Sequence, residues 1–211
     1  GTMSALKIQK GDIVTAINKQ PVLSTAAYSQ LVNTIRTNDD VAVEIIRNGQ
    51  PMSVKGPAIM RPYEKSDIAD MQYDWVKFRK GYLRAITRRP KGQSALPAIL
   101  LIPGYGCGSI ENYSTSYNGK LLNEWIKAGY AVITIEKSGL GDSYGCAPCS
   151  EVDLATDIES FDAGYKYMET LPFVDKSRLY IWGHSMGGVI APEVAKLHHP
   201  KGVMVFGTTF R

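Results

Sequence analysis

The chain has 211 residues, 44% of them apolar and 21% charged, with a formal net charge of +4. That is ordinary globular material, enough for one or two domains. The basic residues are scattered apart from Arg88-Arg89-Pro90-Lys91, which excludes a nucleic-acid stripe, and no apolar run approaches the ~18–20 residues of a membrane span. Gly1-Thr2 ahead of Met3 reads as an expression scar, and no signal-peptide pattern follows it.

Residues 1–62 read as one unit. Leu6, Ile8, Ile13, Val14 and Ile17 surround Gly11-Asp12, and Asn18-Lys19-Gln20-Pro21 is a turn. Ser24 caps a helix with Tyr28, Leu31, Val32 and Ile35 on one face. Val41 to Arg47 alternates as a strand, Asn48-Gly49 is a two-residue hairpin turn, and Gln50 to Val54 returns. Residues 63–70 are charged and turn-rich, a linker by composition.

From residue 71 onward the pattern changes. A hairpin is expected from Gln72 to Arg88, turning at Arg79-Lys80-Gly81. Pro97 to Ile102 is continuously apolar, as in a strand buried on both faces of a parallel sheet. Pro103-Gly104-Tyr105-Gly106-Cys107-Gly108-Ser109 follows. Tyr117, Leu121, Leu122, Trp125 and Ile126 then recur at helical spacing. Tyr130 to Ile135 is the next strand. A loop opens at Gly139-Leu140-Gly141-Asp142-Ser143, and Ser150 with Asp153 makes a capping-box signature. Leu154, Ile158, Phe161, Tyr165 and Met168 share one helix face. Leu179 to Trp182 is a strand, Val189 to Leu197 a helix stopped by Pro200, and Val203 to Phe206 a last strand. Strand and helix alternate throughout, which argues a parallel α/β sheet with right-handed crossovers.

Within this pattern, Gly183-His184-Ser185-Met186-Gly187-Gly188 joins a strand to a helix through G-x-S-x-G. Such a turn lifts a serine off the end of the sheet, at the positive end of a helix dipole. The plainer alternative is a glycine-rich turn with a capping serine.

Cys107, Cys146 and Cys149 are the three cysteines. Cys146-Ala147-Pro148-Cys149 has C-x-x-C spacing but no second pair to complete a zinc site, and it lies in a loop rather than opening a helix. Free thiols are one reading. A disulfide between Cys107 and one of the other two is the other, and it implies an oxidising compartment.

Two resemblances follow. Lys10-Gly11-Asp12-Ile13-Val14, Ile17-Asn18, Pro21-Val22, the helix and the Arg47-Asn48-Gly49 hairpin resemble the second half of a bacterial PDZ domain of the HtrA-protease kind. That family binds peptide termini by strand addition. Its carboxylate-binding loop and groove-edge strand would precede Leu6, so the helix stripe is expected to be core rather than groove. From Tyr73 to the end, the Gly183–Gly188 turn (a nucleophile elbow), Pro103-Gly104-Tyr105-Gly106 and Lys137-Ser138-Gly139-Leu140-Gly141-Asp142-Ser143 resemble the N-terminal half of an α/β-hydrolase of the serine-aminopeptidase and esterase type. The fold implied is a three-layer α/β-hydrolase sheet, incomplete at its C-terminal side, with a small PDZ-like α+β domain before it.

The hydrolase resemblance implies roles. Ser185 is the nucleophile. The N–H of Met186 and the N–H of Tyr105 form the oxyanion hole, with Gly104 and Gly106 letting the backbone approach the substrate. No metal or cofactor is called for. The family's acid and histidine come after later strands. His184 sits inside the elbow, His198 and His199 lie roughly 20 Å away along the helix, and Asp142 occupies a loop that is structural in the family. All four are read as structural.

The sequence therefore reads as part of a serine hydrolase of esters or amides, inactive alone, with a peptide as a further partner at the PDZ-like domain. A partner chain or a swapped dimer is expected at the open sheet edge, and the cell envelope is the favoured compartment. The alternatives are a binding scaffold with a degenerate hydrolase fold and, more remotely, a nucleotide-binding domain.

Overall fold

The computed structural model describes residues 1–60, 62–111 and 117–208, the side chains of residues 117 and 118 excepted. It divides into two compact units, Gly1–Tyr63 and Glu64–Arg211.

The first unit has helix α1 (Thr2–Ala5), strands β1 (Ile13–Ile17) and β2 (Gln20–Pro21), helix α2 (Thr25–Thr34), and strands β3 (Asp40–Arg47) and β4 (Gln50–Pro57). The strands form an antiparallel sheet in the order β2-β1-β3-β4. Asn48 and Gly49 both have positive φ (52° and 76°), so the β3–β4 turn twists with its strands. Ser24 Oγ accepts from Ala27 N–H at 3.1 Å and caps α2. Leu6, Ile17, Val41, Val43, Ile45 and Ala58 form the core, and Tyr28, Leu31, Val32 and Ile35 pack against it. The helix stripe therefore packs on the core, half-buried.

The second unit has β5 (Ala69–Phe78), β6 (Gly81–Pro90), β7 (Leu96–Ile102), α3 (Tyr117–Lys127), β8 (Ala131–Ile135), α4 (Leu154–Thr170), β9 (Val174–His184), α5 (Met186–His198) and β10 (Gly202–Phe206). The sheet order is β10-β9-β7-β8-β6-β5. β7, β8, β9 and β10 are mutually parallel, while β5 and β6 form an antiparallel hairpin joined to β8. It is a mixed α/β sheet.

Alternation along β7 divides the core. Ala98, Leu100 and Ile102 meet Phe161, Tyr165 and Met168 of α4 and Ile190, Ala191 and Val194 of α5. Ile99 and Leu101 face the other way, with Leu122 and Ile126 of α3 and Trp182. Burial of both faces explains why this strand carries no polar residue.

Three local expectations change. Residues 64–70 are not a free tether: Arg88 Nη2 donates to both carboxylate oxygens of Glu64 at 3.0 and 3.1 Å, with both side chains buried. The cap of α4 is Asp153, whose Oδ1 accepts from Thr156 N–H at 2.8 Å. Ser150 instead belongs to a short 3₁₀ turn, Cys149–Glu151, just ahead of that cap. Leu154 is exposed; the buried face of α4 begins at Thr156, Ile158 is half-buried against the core, and Phe161, Tyr165 and Met168 are fully buried. No helix among the described residues is long and apolar enough to cross a membrane.

Candidate active site

β7, β8 and β9 run in register, with Leu101 beside Thr134 and Ile102 beside Gly183. Their carboxyl ends therefore open on one edge, where open α/β sheets place their chemistry. Residues 103–111 leave β7, residues 136–151 leave β8, and Ser185 directly follows β9.

Ser185 has φ 53° and ψ −118°. A non-glycine residue pays about 1–3 kcal/mol for such a conformation, so its surroundings must impose it. They do so by hydrogen bonds and close packing. Ser185 N–H donates to Phe206 O, and Ser185 O accepts from Gly188 N–H, each at 2.9 Å. A Cβ on Gly183 would lie closer than 3.0 Å to Gly187 O, and a Cβ on Gly187 closer than 3.0 Å to Ile102 O. The turn can cross the sheet end this tightly only with glycine at both positions. Ser185 itself is half-buried. Met186 opens α5, so its N–H has no acceptor within the helix and adds to the positive end of the dipole.

The loop after β7 lies against this turn. A Cβ on Gly104 would sit 3.2 Å from Ser185 Cβ and 3.4 Å from His184 O. Tyr105, the next residue, is 88% exposed, and Gly106 follows with φ 121°. Cys107 is joined to Cys149, Cα to Cα 5.8 Å, which ties this loop to the one after β8. Cys146 remains a free thiol. Burial raises its pKa, and its sulfur lies 3.5 Å from Tyr144 O.

One residue of this edge escaped the sequence reading. Glu136 follows β8 directly and is fully buried. Its Oε2 accepts from Ser109 Oγ at 3.0 Å, and both its carboxylate oxygens lie 3.2 Å from the donating Ile110 N–H. The signal was present: a carboxylate ends the uncharged run Ala131–Ile135, just before a glycine-rich loop.

The histidines are engaged elsewhere. The His184 ring stacks on Trp182 and on Phe206, each at 5.9 Å between centroids. His198 Nε2 lies 2.5 Å from Asp162 Oδ1, and its ring stacks on Tyr165 at 4.3 Å, joining α5 to α4. His199 is the left-handed cap of α5. Asp142 pairs with Arg84 at 3.1 Å, whose guanidinium stacks on Trp75 at 3.7 Å. Among the described residues no hydrogen bond joins Ser185 to any of these groups.

Comparison with known proteins places this architecture. The chain is 31% identical over 100 residues to the quorum-quenching protein AidA of Acinetobacter baumannii, which covers 47% of this chain and 31% of AidA. It is 24% identical over 105 residues to a thiohydrolase of Eupenicillium brefeldianum, covering 50% of this chain and 32% of that protein. The chain thus spans about a third of the length of these curated relatives. Among solved structures, hypothetical protein PA2218 from Pseudomonas aeruginosa superposes with a TM-score of 0.59 at 20% identity, over 70% of this chain and 45% of that one. The metagenomic carboxylesterase EstE1 superposes with a TM-score of 0.55 at 24% identity, over 69% of this chain and 49% of that one. These likenesses show an α/β-hydrolase fold. The family model of the X-Pro dipeptidyl-peptidases (S15 family) matches residues 39–207, from β3 through β10. On that match, the chain belongs to the X-Pro dipeptidyl-peptidase (S15) family of hydrolases.

Proposed function

We propose that Ser185 is the nucleophile of a serine hydrolase that cleaves an ester or amide by acyl transfer. The observation that carries this reading is the left-handed φ of Ser185 at a strand-to-helix turn, with Gly104 packed against its Cβ. A scaffold with no chemistry has no use for a strained serine at the crevice of the sheet. Ser185 Oγ attacks the substrate carbonyl carbon while its proton passes to a general base. The N–H groups of Met186 and Tyr105 donate to the oxyanion that forms, and Gly104 and Gly106 keep that approach free of side chains. The leaving group departs with a proton, and water then releases the acyl group. The general base and its acid partner come from outside the described residues, because His184, His198 and His199 are committed to packing and capping.

The family's description adds X-Pro peptides to the substrate classes worth testing. The first unit is PDZ-like in its sequence order, and a peptide is its candidate partner. The outer edge of β10, with Val203, Met204 and Phe206 exposed, is a candidate surface for a further strand from a partner chain or a swapped copy. A disulfide at Cys107 fits the cell envelope.

The test is covalent labelling with a fluorophosphonate, with turnover of X-Pro p-nitroanilides and short-chain p-nitrophenyl esters measured alongside. The longest natural form of the protein should label and turn over, and Ser185→Ala should abolish both. The 211-residue chain alone should label weakly, because without a base the hydroxyl stays protonated. Full activity in Ser185→Ala overturns the reading.

A further inference from the structure

The loop that meets Ser185 needs something to hold it, and the sequence-derived roles name nothing that does. Its tightest polar anchor is Glu136. A carboxylate removed from water is stable only when hydrogen-bonded, and Ser109 Oγ (3.0 Å) and Ile110 N–H (3.2 Å) both donate to it. Glu136 is itself immobilised. Its N–H donates to Arg84 O at 2.8 Å, and its carbonyl accepts from Ser143 Oγ at 3.3 Å. Ser143 Oγ in turn accepts from Arg84 N–H at 2.9 Å. A Cβ on Gly141 would lie 2.9 Å from Glu136 Cδ, so the glycine turn after β8 closes directly over the carboxyl group. Ile110, on the receiving side, is buried to 2% exposure.

We propose that Glu136 is the positioning residue of the oxyanion loop. Its buried carboxylate fixes Ser109 and Ile110, and through them sets where the Tyr105 N–H stands relative to Ser185. The proposal rests on the reading of Ser185 as nucleophile. The physical sense is pre-organisation: an oxyanion donor pays its ordering cost at folding, not at the moment of reaction. A displacement of about 1 Å in such a donor costs on the order of 10²-fold in rate. The loop is pinned at Gly104 by the elbow, at Cys107 by the disulfide, and at Ser109 and Ile110 by Glu136. Of these, only Glu136 supplies hydrogen bonds whose direction sets the rotation of the loop backbone.

The test uses the full-length hydrolase with Glu136→Gln, Glu136→Leu, Ser109→Ala and Ser185→Ala. Glu136→Gln keeps one acceptor and should lower kcat on a p-nitrophenyl ester about 10-fold; Glu136→Leu should lower it about 100-fold, approaching the loss of one oxyanion donor. Ser109→Ala removes only one of the two donors and should cost about 3–10-fold. In each, KM should stay within about two-fold, because the oxyanion forms only in the transition state. Affinity for a boronic-acid analogue should fall in step with kcat, and affinity for the carboxylate product should not. Hydrogen exchange should quicken at Ile110 while β7 stays protected.

A purely structural role would lower the melting temperature and leave kcat intact well below it, and that result overturns the proposal. If Glu136→Leu fails to fold, Ser109→Ala still decides. An inactive Ser185→Ala beside unimpaired Glu136→Gln and Ser109→Ala overturns the positioning role alone. A fully active Ser185→Ala overturns both it and the nucleophile assignment.

Discussion

The two units differ in how much apolar core they bury. The second buries two apolar layers against one sheet, and Leu100, Leu101, Ile102, Ile133, Phe161 and Ile181 are all at 0% exposure. Among its described residues the first has seven buried apolar residues, and none of them lies on α2. Small units cannot bury enough surface to rely on burial alone. The first unit supplements its core with directed polar contacts. Asp12 accepts from Arg47 Nε (2.8 Å) and Nη2 (2.6 Å) and from Gln9 N–H (2.8 Å). Asn18 Oδ1 accepts from Ala42 N–H at 2.8 Å. The second unit has directed polar contacts as well, the buried Glu64–Arg88 pair among them, but adds them to a much larger apolar core.

The contrast is broken most directly at the elbow. Gly187→Ala drives a methyl group into the carbonyl of Ile102, a backbone atom at the end of a fully buried strand. Neither side can yield without opening the sheet. The expected loss exceeds ~4 kcal/mol, the range of exceptional single substitutions, and is read as insoluble protein or a collapsed melting temperature. Gly108→Ala, in the neighbouring loop, meets nothing within 4 Å, and its stability should change by less than about 0.5 kcal/mol. Equal tolerance at both positions would mean the crossing at Gly187 is looser than described.

Reduction of Cys107–Cys149 comes next. The bridge closes a loop of 42 residues' separation, and loop-closure entropy assigns such a bond about 2–4 kcal/mol. Dithiothreitol should lower the melting temperature of the second unit, quicken exchange in residues 104–110, and leave the first unit untouched. Uniform exchange across the loop before and after reduction would show that Glu136 and the elbow hold it without the bridge.

What could be read in the sequence follows the same division. The buried parallel strands were legible from their continuous apolar runs, and the strand-to-helix turn from Gly183 and Gly187, where a Cβ would meet backbone. Asp153 as the cap of α4, and the docking of residues 64–70 through Glu64, were not: a short polar residue or a charged stretch is compatible with several local structures until its partner is known. Glu136 was missed for a related reason. Its partners Ser109 and Ile110 lie in the loop of another strand, and only the sheet order brings β7 beside β8.

The smallest expected effect isolates the first unit. Hydrogen bonds from Arg47, and secondarily from Gln9 N–H, pull the pKa of Asp12 from 3.8 down to about 2. The folded unit therefore holds this proton less tightly than the unfolded chain does. The stabilisation is fully present above about pH 4 and is lost as pH falls through about 2. Protonation removes the charge that Arg47 needs, and Arg47 Nη2 also donates to Lys7 O at 2.9 Å, so the link from β3 to the start of the unit weakens with it. Exchange of the β3 amides Val41, Val43 and Ile45, followed from pH 5 to pH 2 after correction for intrinsic rates, should show a loss of protection in the wild-type chain. In Asp12→Asn the protection should be lower at pH 5 and flatter towards pH 2. Parallel slopes in the two proteins would show that Asp12 is not what makes the small unit acid-sensitive, and would return its stability to burial alone.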